Sequence, residues 1–350
     1  MSQVQKRCLT AILLSLLLLF LCCAAAGADT ISGNKSVKVI LKYISDNHPT
    51  ELTLEGVKLK PTELLQIKQA LPEGAEFHFT TNWAGSVTFS DDVVELDLRP
   101  RKGQVLASDL EAIVLVCPNV KVIDNSNKSS PTNKDIIPLI EKYPDVQFEW
   151  RVDLGKGHHV STKATAYSTF NHINSKKELT SKNLEMLKYC PRLKALDLGH
   201  NKIDSLDFLQ YVPDLELLII GQNLVSDITP IGQLKHLQYA ELFLNSFSDI
   251  TPLANCKELL DLNLTATNVN DLSALDEVTT LERLWVNSCK KLPQSAVDHF
   301  KQLHPNCEVD FKLSHGAMRD GWREHPRYKH YIWCLKKYRW IPFNEPLPAK

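Results

Sequence analysis

Apolar positions return along the chain with a period of 22. Counting from Leu193, one unit carries Leu193, Leu196, Leu198, Asn201, Ile203 and Leu206. The next carries Leu215, Leu218, Ile220, Asn223, Val225 and Ile228. Leu237, Ala240, Leu242, Asn245, Phe247 and Ile250 follow, and then Leu259, Leu262, Leu264, Thr267, Val269 and Leu272. A fifth unit opens with Leu281, Leu284 and Val286 and places Cys289 where the others place asparagine. One phase held over five units is not a chance arrangement. Each L-x-L centre predicts a short strand whose leucines point inward. The asparagine turns the chain, and its amide can satisfy backbone groups between neighbouring turns.

The pattern L-x-x-L-x-L-x-x-N/C-x-L is that of leucine-rich repeats. It predicts an α/β repeat solenoid, a leucine-rich-repeat horseshoe with a parallel concave sheet. Ser226-Asp227-Ile228-Thr229-Pro230 is echoed by Ser248-Asp249-Ile250-Thr251-Pro252. Proline there discourages long helices, so short helices or 3₁₀ turns are expected on the convex side. No unit buries its apolar side alone; stacking buries it. The N-terminal half repeats more loosely. Proline precedes a strand at Pro118, Pro144, Pro191, Pro213 and Pro305, and helical patterns span 109–116, 134–142, 181–189 and 295–303. Phe77-His78-Phe79 before Gly85 and Val87 resembles Phe148-Glu149-Trp150 before Gly157 and Val160. Each predicts a strand running into an extra hairpin. The organisation expected is a signal peptide over 1–28, an N-terminal cap over 29–50 and irregular repeats with hairpin insertions over 51–192. Regular repeats follow over 193–292, then a C-terminal cap with a basic aromatic tail over 293–350.

The N-terminus changes the picture of where the chain works. Lys6 and Arg7 precede an apolar run from Leu9 to Cys23, and Ala26-Gly27-Ala28 fits a small-residue cleavage site. That order is the signature of a secretory signal, with the mature chain starting at Asp29. The run is short for a membrane-spanning helix, and no later stretch approaches one. Lipid anchoring on Cys22 or Cys23 is the alternative, which Leu21 and Cys22 fit poorly as preceding residues. The expected location is secreted or extracellular. The full chain has 40 basic and 41 acidic residues, a net charge of −1, so bulk electrostatics does not select nucleic acid. Only 13 glycines argue against glycine-rich phosphate loops.

Six of the nine cysteines lie beyond the signal. Cys117, Cys190 and Cys256 each sit three residues before a strand start and read as small apolar core residues. Cys190 and Cys256 stand three turns apart, about 14 Å at strand spacing, too far for a disulfide. Cys307 and Cys334 are the remaining candidates for a bridge. His158 and His159 are adjacent, so in a strand they face opposite ways, and no ligand-spaced partner accompanies them. Solvent exposure is expected for them. The chain has no zinc-protease, nucleophile-elbow, Walker or dinucleotide motif. Catalytic residues, cofactors and metal ligands are therefore not expected.

Phe148-Glu149-Trp150-Arg151-Val152, Leu196-Asp197-Leu198-Gly199-His200-Asn201 and Gly321-Trp322-Arg323-Glu324-His325-Pro326-Arg327-Tyr328 resemble secreted leucine-rich-repeat proteins of anaerobic bacteria. The 22-residue units are similar to those of the internalins. The resemblance covers roughly 75–328. It implies an exported, non-enzymatic recognition solenoid and supplies neither catalytic residues nor a ligand. A C-terminal sorting motif with a hydrophobic tail is not evident, so internalin-style wall attachment is not implied.

Two surfaces are candidates for binding. On the concave sheet, position 3 of successive units holds Ala195, Leu217, Tyr239, Asp261 and Arg283. Position 5 holds Asp197, Ile219, Glu241, Asn263 and Trp285, and position 7 holds Gly199, Gly221, Phe243, Thr265 and Asn287. Neighbouring strands about 4.8 Å apart put Leu217, Ile219, Tyr239 and Phe243 in one apolar patch. Asp197, Glu241 and Asp261 rim it, with Arg283 and Trp285 beyond. An exposed aromatic patch with a polar rim suits a protein or peptide partner. The opposing expectation is that the hairpins or the tail fold over it. The second surface is residues 315–350, with eight basic and three acidic residues and seven aromatics. Tyr328, Ile332 and Leu335 recur as on one helical face, with Pro326 starting the helix. That segment reads either as a cap on the last turn or as a binder of anionic cell-surface polymer.

Overall fold

A computed structural model of the protein describes residues 28–128, 130–169, 178–312 and 321–348. All of the expected signal except Ala28 lies outside the described residues. The chain forms two compact units, Met1–Glu149 and Trp150–Lys350. Among the described residues, no helix is long and apolar enough to cross a membrane.

The first unit alternates strands and helices. β1 (Ala28–Ser32), β2 (Glu51–Val57), β3 (Glu76–Trp83) and β4 (Val87–Ser90) form one sheet in that order. β1, β2 and β3 are parallel, and β3 turns back antiparallel into β4. Helices α1 (Val37–Asn47) and α2 (Pro61–Ala70) make the crossovers. α2 starts on a proline whose missing N–H costs nothing there, and the Glu63 carboxylate accepts from the Lys60 N–H at 3.0 Å. β5 (Glu95–Asp97), β6 (Val122–Asp124) and β7 (Gln147–Glu149) form a second, parallel sheet joined by α3 (Ala107–Val116) and α4 (Asn133–Lys142). The strand–helix pattern thus reaches back to Ala28, into the stretch expected to be an N-terminal cap.

The second unit opens with a hairpin, β8 (Arg151–Gly155) and β9 (His158–Ser161). Then come the strands of a seven-stranded parallel sheet: β10 (Ala166–Ser168), β11 (Ala195–Asp197), β12 (Leu217–Ile219), β13 (Tyr239–Glu241), β14 (Asp261–Asn263), β15 (Arg283–Trp285) and β16 (Glu308–Asp310). From β11 to β15 every residue pairs with the one 22 positions on, Leu196 with Leu218, Ala240 and so forth. The short helix α5 (Ser181–Leu184) runs into a 3₁₀ turn over Glu185–Tyr189, so the expected helix tightens in its second half. The convex returns are 3₁₀ turns at Asp207–Tyr211, Thr229–Gln233, Thr251–Asn255 and Ser273–Leu275. The last return is the full helix α6 (Gln294–Leu303). This is a leucine-rich-repeat fold.

The asparagine slots explain how strands three residues long hold register. Asn223 is buried, its Oδ1 accepting from the Ile203 N–H at 3.0 Å. Its Nδ2 donates to the carbonyls of Leu198 and Ile220, both at 2.9 Å. Asn245 repeats the pattern one unit later, bonding Val225, Ile220 and Leu242. Where the slot holds Thr267 or Cys289, the side chain bonds the Leu264 carbonyl, and the two side chains also meet each other. The residue before each slot is left-handed: His200, Gln222, Leu244, Ala266 and Ser288 have φ between 52° and 59°. Their N–H groups donate across to the next unit, His200 to Gly221 at 2.9 Å and Gln222 to Phe243 at 2.8 Å. Those bonds offset the cost of a conformation that ordinary side chains avoid.

The six described cysteines are all free, Cys307 and Cys334 included. Burial pushes the Cys256 thiol up to about 11 and the Cys117 thiol up to about 12, which makes them poor nucleophiles. His158 departs from the expected exposure. It is buried on β9 with its ring 3.4 Å from the Tyr167 hydroxyl, while its neighbour His159 is half-exposed. Alternation along the strand places one histidine on each face, and here the inner face is core.

Asn223→Leu is expected to strand three buried backbone groups and to cost about 1–3 kcal/mol. Chemical denaturation against wild type checks this, and an unchanged midpoint would mean the ladder does not hold the register.

Candidate functional site

The concave face is where side chains of several units converge. Positions 3 and 5 project from β11 to β15 on that side, opposite the core leucines. The register places Leu217 beside Tyr239 and Ile219 beside Glu241 on adjacent strands. It likewise places Asp261 beside Arg283 and Asn263 beside Trp285. The nine residues expected to meet a partner, Asp197, Leu217, Ile219, Tyr239, Glu241, Phe243, Asp261, Arg283 and Trp285, do share this surface.

Their expected exposure is corrected by the structure. All nine are buried, Tyr239 and Trp285 at 0% and 1% exposure. The cover is the chain's own C-terminal segment. Helix α7 (Pro326–Lys337), with Trp322 before it and Trp340 and Ile341 after, joins Ala195, Leu217, Ile219, Tyr239 and Trp285 in one apolar cluster. The Tyr239 ring lies 4.9 Å from Tyr331 and 5.6 Å from Trp322, and Trp285 lies 5.1 Å from Trp322. Phe243 seals the neighbouring turn against Gly221, where a Cβ would meet the ring at 2.4 Å. The segment therefore lies across the sheet instead of capping its last turn. Its aromatics, expected on an outer surface, include Trp322, Tyr331 and Trp340, all buried. The cause is apolar area: a row of aromatics on the concave sheet and a row on α7 both leave water by facing each other.

Polar groups caught beneath this cover are matched by geometry. Glu241 Oε1 accepts from the Tyr239 hydroxyl at 2.6 Å, the Trp322 indole N–H at 2.8 Å and the Tyr331 hydroxyl at 3.0 Å. Asp261 accepts from Arg283 Nε at 2.7 Å and from Arg327 Nε at 2.6 Å, and Arg327 also reaches Glu282 at 2.7 Å. The Arg283 guanidinium stacks over Trp322 at 4.4 Å. Beyond α7, Trp340 donates from its indole to Glu216 at 2.7 Å and from its backbone N–H to Thr165 Oγ1 at 2.7 Å.

The three buried carboxyls differ in charge balance. For Asp261, burial acts upward, but the guanidiniums of Arg283 and Arg327 outweigh it and hold the carboxyl below the usual range. For Glu241, burial dominates and raises the carboxyl, its three donors offsetting only part of that. For Asp197, burial likewise dominates, against the Ser168 hydroxyl at 2.7 Å and the Gly199 N–H at 3.1 Å.

The cover is incomplete over Asp197. A hollow of about 200 Å³ lies between Ser168 and Asp197 on the sheet and Tyr328, Ile332, Leu335, Lys336 and Tyr338. A smaller hollow of about 50 Å³ shares Asp197, Tyr328 and Ile332 and reaches Glu241 and Phe243. Sequence reasoning named Asp197, Glu241 and Phe243 but not the opposite wall. The spacing of Tyr328, Ile332 and Leu335 marked a helical face without saying what it meets.

No protein-family model and no curated protein matches the chain. Among solved structures, it is similar to an internalin from Listeria monocytogenes at 14% identity and a TM-score of 0.40, over 83% of this chain and 86% of that one. It is also similar to a leucine-rich-repeat protein of Leptospira interrogans at 20% identity and a TM-score of 0.39, over 75% and 72%. The fold assignment stands on the 22-residue register and asparagine ladder of this chain itself.

Tyr239→Ala is expected to cost about 3–5 kcal/mol, the scale for removing a large aromatic from a packed core. A melting temperature unchanged from wild type would place Tyr239 outside the core. Asp261→Asn is expected to cost about 3–5 kcal/mol at neutral pH, because two guanidiniums lose their counter-charge. The folded carboxyl is depressed, so its stabilisation is complete above the unfolded value near 4 and fades as pH falls through the lower folded one. The gap between wild type and Asp261→Asn in denaturation midpoint should therefore narrow below about pH 4. A gap independent of pH would show that Asp261 acts by shape and not by charge.

Proposed function

We propose that the protein is an exported, non-enzymatic binding module that takes a segment of a protein or peptide partner on its concave side. The observation that carries this reading is the hollow beside Asp197, the place where the chain's own C-terminal segment does not pack tightly on the concave sheet. A closed end cap has no use for a cavity floored by a carboxylate and walled by tyrosine and isoleucine. A binding site does, since such sites are concave, largely apolar and carry a few fixed polar groups. The surface around it suits a partner chain. His200, Gln222 and Leu244 occupy the same turn of successive units, His200 lines the smaller hollow, and Leu244 is 47% exposed. Tyr338 at the edge of the larger hollow is 53% exposed. An apolar centre with a polar margin is the ordinary anatomy of an interface. The alternative, an aromatic tail that holds surface polymer, loses support because Trp322, Tyr331 and Trp340 are buried against the repeats.

The test uses protein recovered from the culture medium, whose first residue should be Asp29; a start at Met1 would refute export. Random peptides displayed on phage are selected on this material. The selected peptides should bind at least tenfold more weakly to Ile332→Trp, which fills the hollow, and equally well to Gln233→Ala and Lys235→Ala on the convex side. Circular dichroism confirms that the variants fold. Selection of no peptide, or peptides indifferent to Ile332→Trp, would overturn the reading.

A further inference from the structure

The regular repeats fill the asparagine slot with an amide that ties neighbouring turns, and the first unit fills it differently. The slot lies five residues past the strand centre, as Asn223 lies past Leu218. The same count reaches Arg101 past Leu96 on β5 and Lys128 past Ile123 on β6, and Leu96 pairs with Ile123. Here the tie is made one residue earlier. Asn127 Nδ2 donates to the carbonyls of Leu98 at 3.4 Å and Arg99 at 2.9 Å, as Asn223 reaches the Leu198 carbonyl of the repeat before it. Arg101 and Lys128 are released from that task.

Both border a hollow of about 630 Å³, together with Lys102, and no acid lines it. The acids at the ends of the two strands, Asp97 and Asp124, are paired with Arg99 at 2.8 and 3.4 Å. Among the described residues, the side chains of Arg101, Lys102 and Lys128 are neither hydrogen-bonded nor ion-paired. Arg101 is held by contact alone. Its guanidinium lies over the Trp83 ring at 4.9 Å, and a Cβ on Gly103 would meet its Nη1 at 3.0 Å. Its Nε is buried without a hydrogen-bond partner among the described residues, so the fold leaves this donor unspent. A guanidinium fixed in place with unused donors is preorganised for an oxyanion, which it can meet through two parallel bonds.

The other walls narrow the ligand. Gln104, Asn127 and Ser130 supply amide and hydroxyl groups, the kind that meets ligand hydroxyls. No aromatic or aliphatic side chain lines the hollow, and Trp83 is 4% exposed beneath Arg101. A nucleobase would find no ring to stack on, and an apolar peptide side chain would find no apolar wall. The volume compares with about 30 Å³ for one water in the liquid, so a lone oxyanion leaves most of it unfilled.

We propose that this hollow binds a sugar carrying a phosphate or sulfate ester, the ester oxygens at Arg101, Lys102 and Lys128 and the sugar hydroxyls along Gln104, Asn127 and Ser130. The site belongs to the first unit and is independent of the hollow beside Asp197.

The probes are glucose 6-phosphate and glucose 6-sulfate, titrated by NMR into the protein. At least one should bind saturably, at least tenfold tighter than glucose and than inorganic phosphate, and more weakly as salt rises. Arg101→Ala and Lys128→Ala should each weaken that binding at least tenfold. Lys128 is exposed, so Lys128→Ala remains informative if Arg101→Ala misfolds. Lys38→Ala, an exposed cation on α1, should change it less than twofold. An equal loss at Lys38→Ala and Lys128→Ala would reduce the effect to general charge and overturn the proposal. So would the absence of binding by both esters, or binding of glucose as tight as theirs. Inorganic phosphate bound as tightly as the sugar esters would make a free oxyanion the ligand and the sugar assignment wrong. Phosphoserine amide or oligothymidylate bound at least tenfold tighter than either ester would assign the hollow to a phosphopeptide or a nucleic acid and overturn the proposal as well.

Discussion

A strand of three residues makes too few bonds to choose its own register, and this constraint governs the second unit. The buried asparagine amides supply what the strands lack. Asn201, Asn223 and Asn245 each tie the turn of one unit to backbone of a neighbour. Because the tie recurs every 22 residues, every side chain at a given position stacks on its counterpart. Rows of equivalent residues follow, and with them a concave floor whose chemistry is the sum of positions 3, 5 and 7.

That floor carries too much apolar area to stand open. Tyr239, Trp285, Leu217 and Ile219 together form a broad patch, and large exposed patches of this kind are covered in stable proteins. Here α7 and its flanks provide the cover from the same chain, an arrangement with little loss of translational freedom. The cost falls on the polar residues in the same rows, which lose water along with their neighbours. Glu241 is supplied with three donors and Asp261 with two guanidiniums. Asp197 sits at the margin, where the cover leaves space. Asp261 at position 3 is thus charge-balanced by two guanidiniums, whereas Asp197 at position 5 is buried with a hollow beside it.

The solenoid was legible because its signal is local and repeated. A leucine that must face inward does so in each unit, and Thr267 or Cys289 in an asparagine slot does not disturb the phase. The 3₁₀ returns were legible from Pro230 and Pro252, and α7 from Pro326 and the spacing of Tyr328, Ile332 and Leu335. The left-handed turns at His200, Gln222, Leu244, Ala266 and Ser288 were not, since no common residue type marks them. The backbone ladder selects that conformation, and the side chain merely tolerates it.

The sequence by itself determined the repeat length, the inward face of the strands in the regular 22-residue units and the list of residues that would share the concave surface. It did not determine whether that surface meets water, a partner or its own tail. Tyr239 on the sheet and Tyr331 on α7 look the same in a linear pattern whether each waits for a ligand or for the other. Only the tertiary structure brings them within 4.9 Å. It decided equally that His158 is core and that Asp261 gains Arg327 from 66 positions away. Periodicity records which way a side chain points relative to its own element. What lies opposite depends on long-range packing, which leaves no period in the chain.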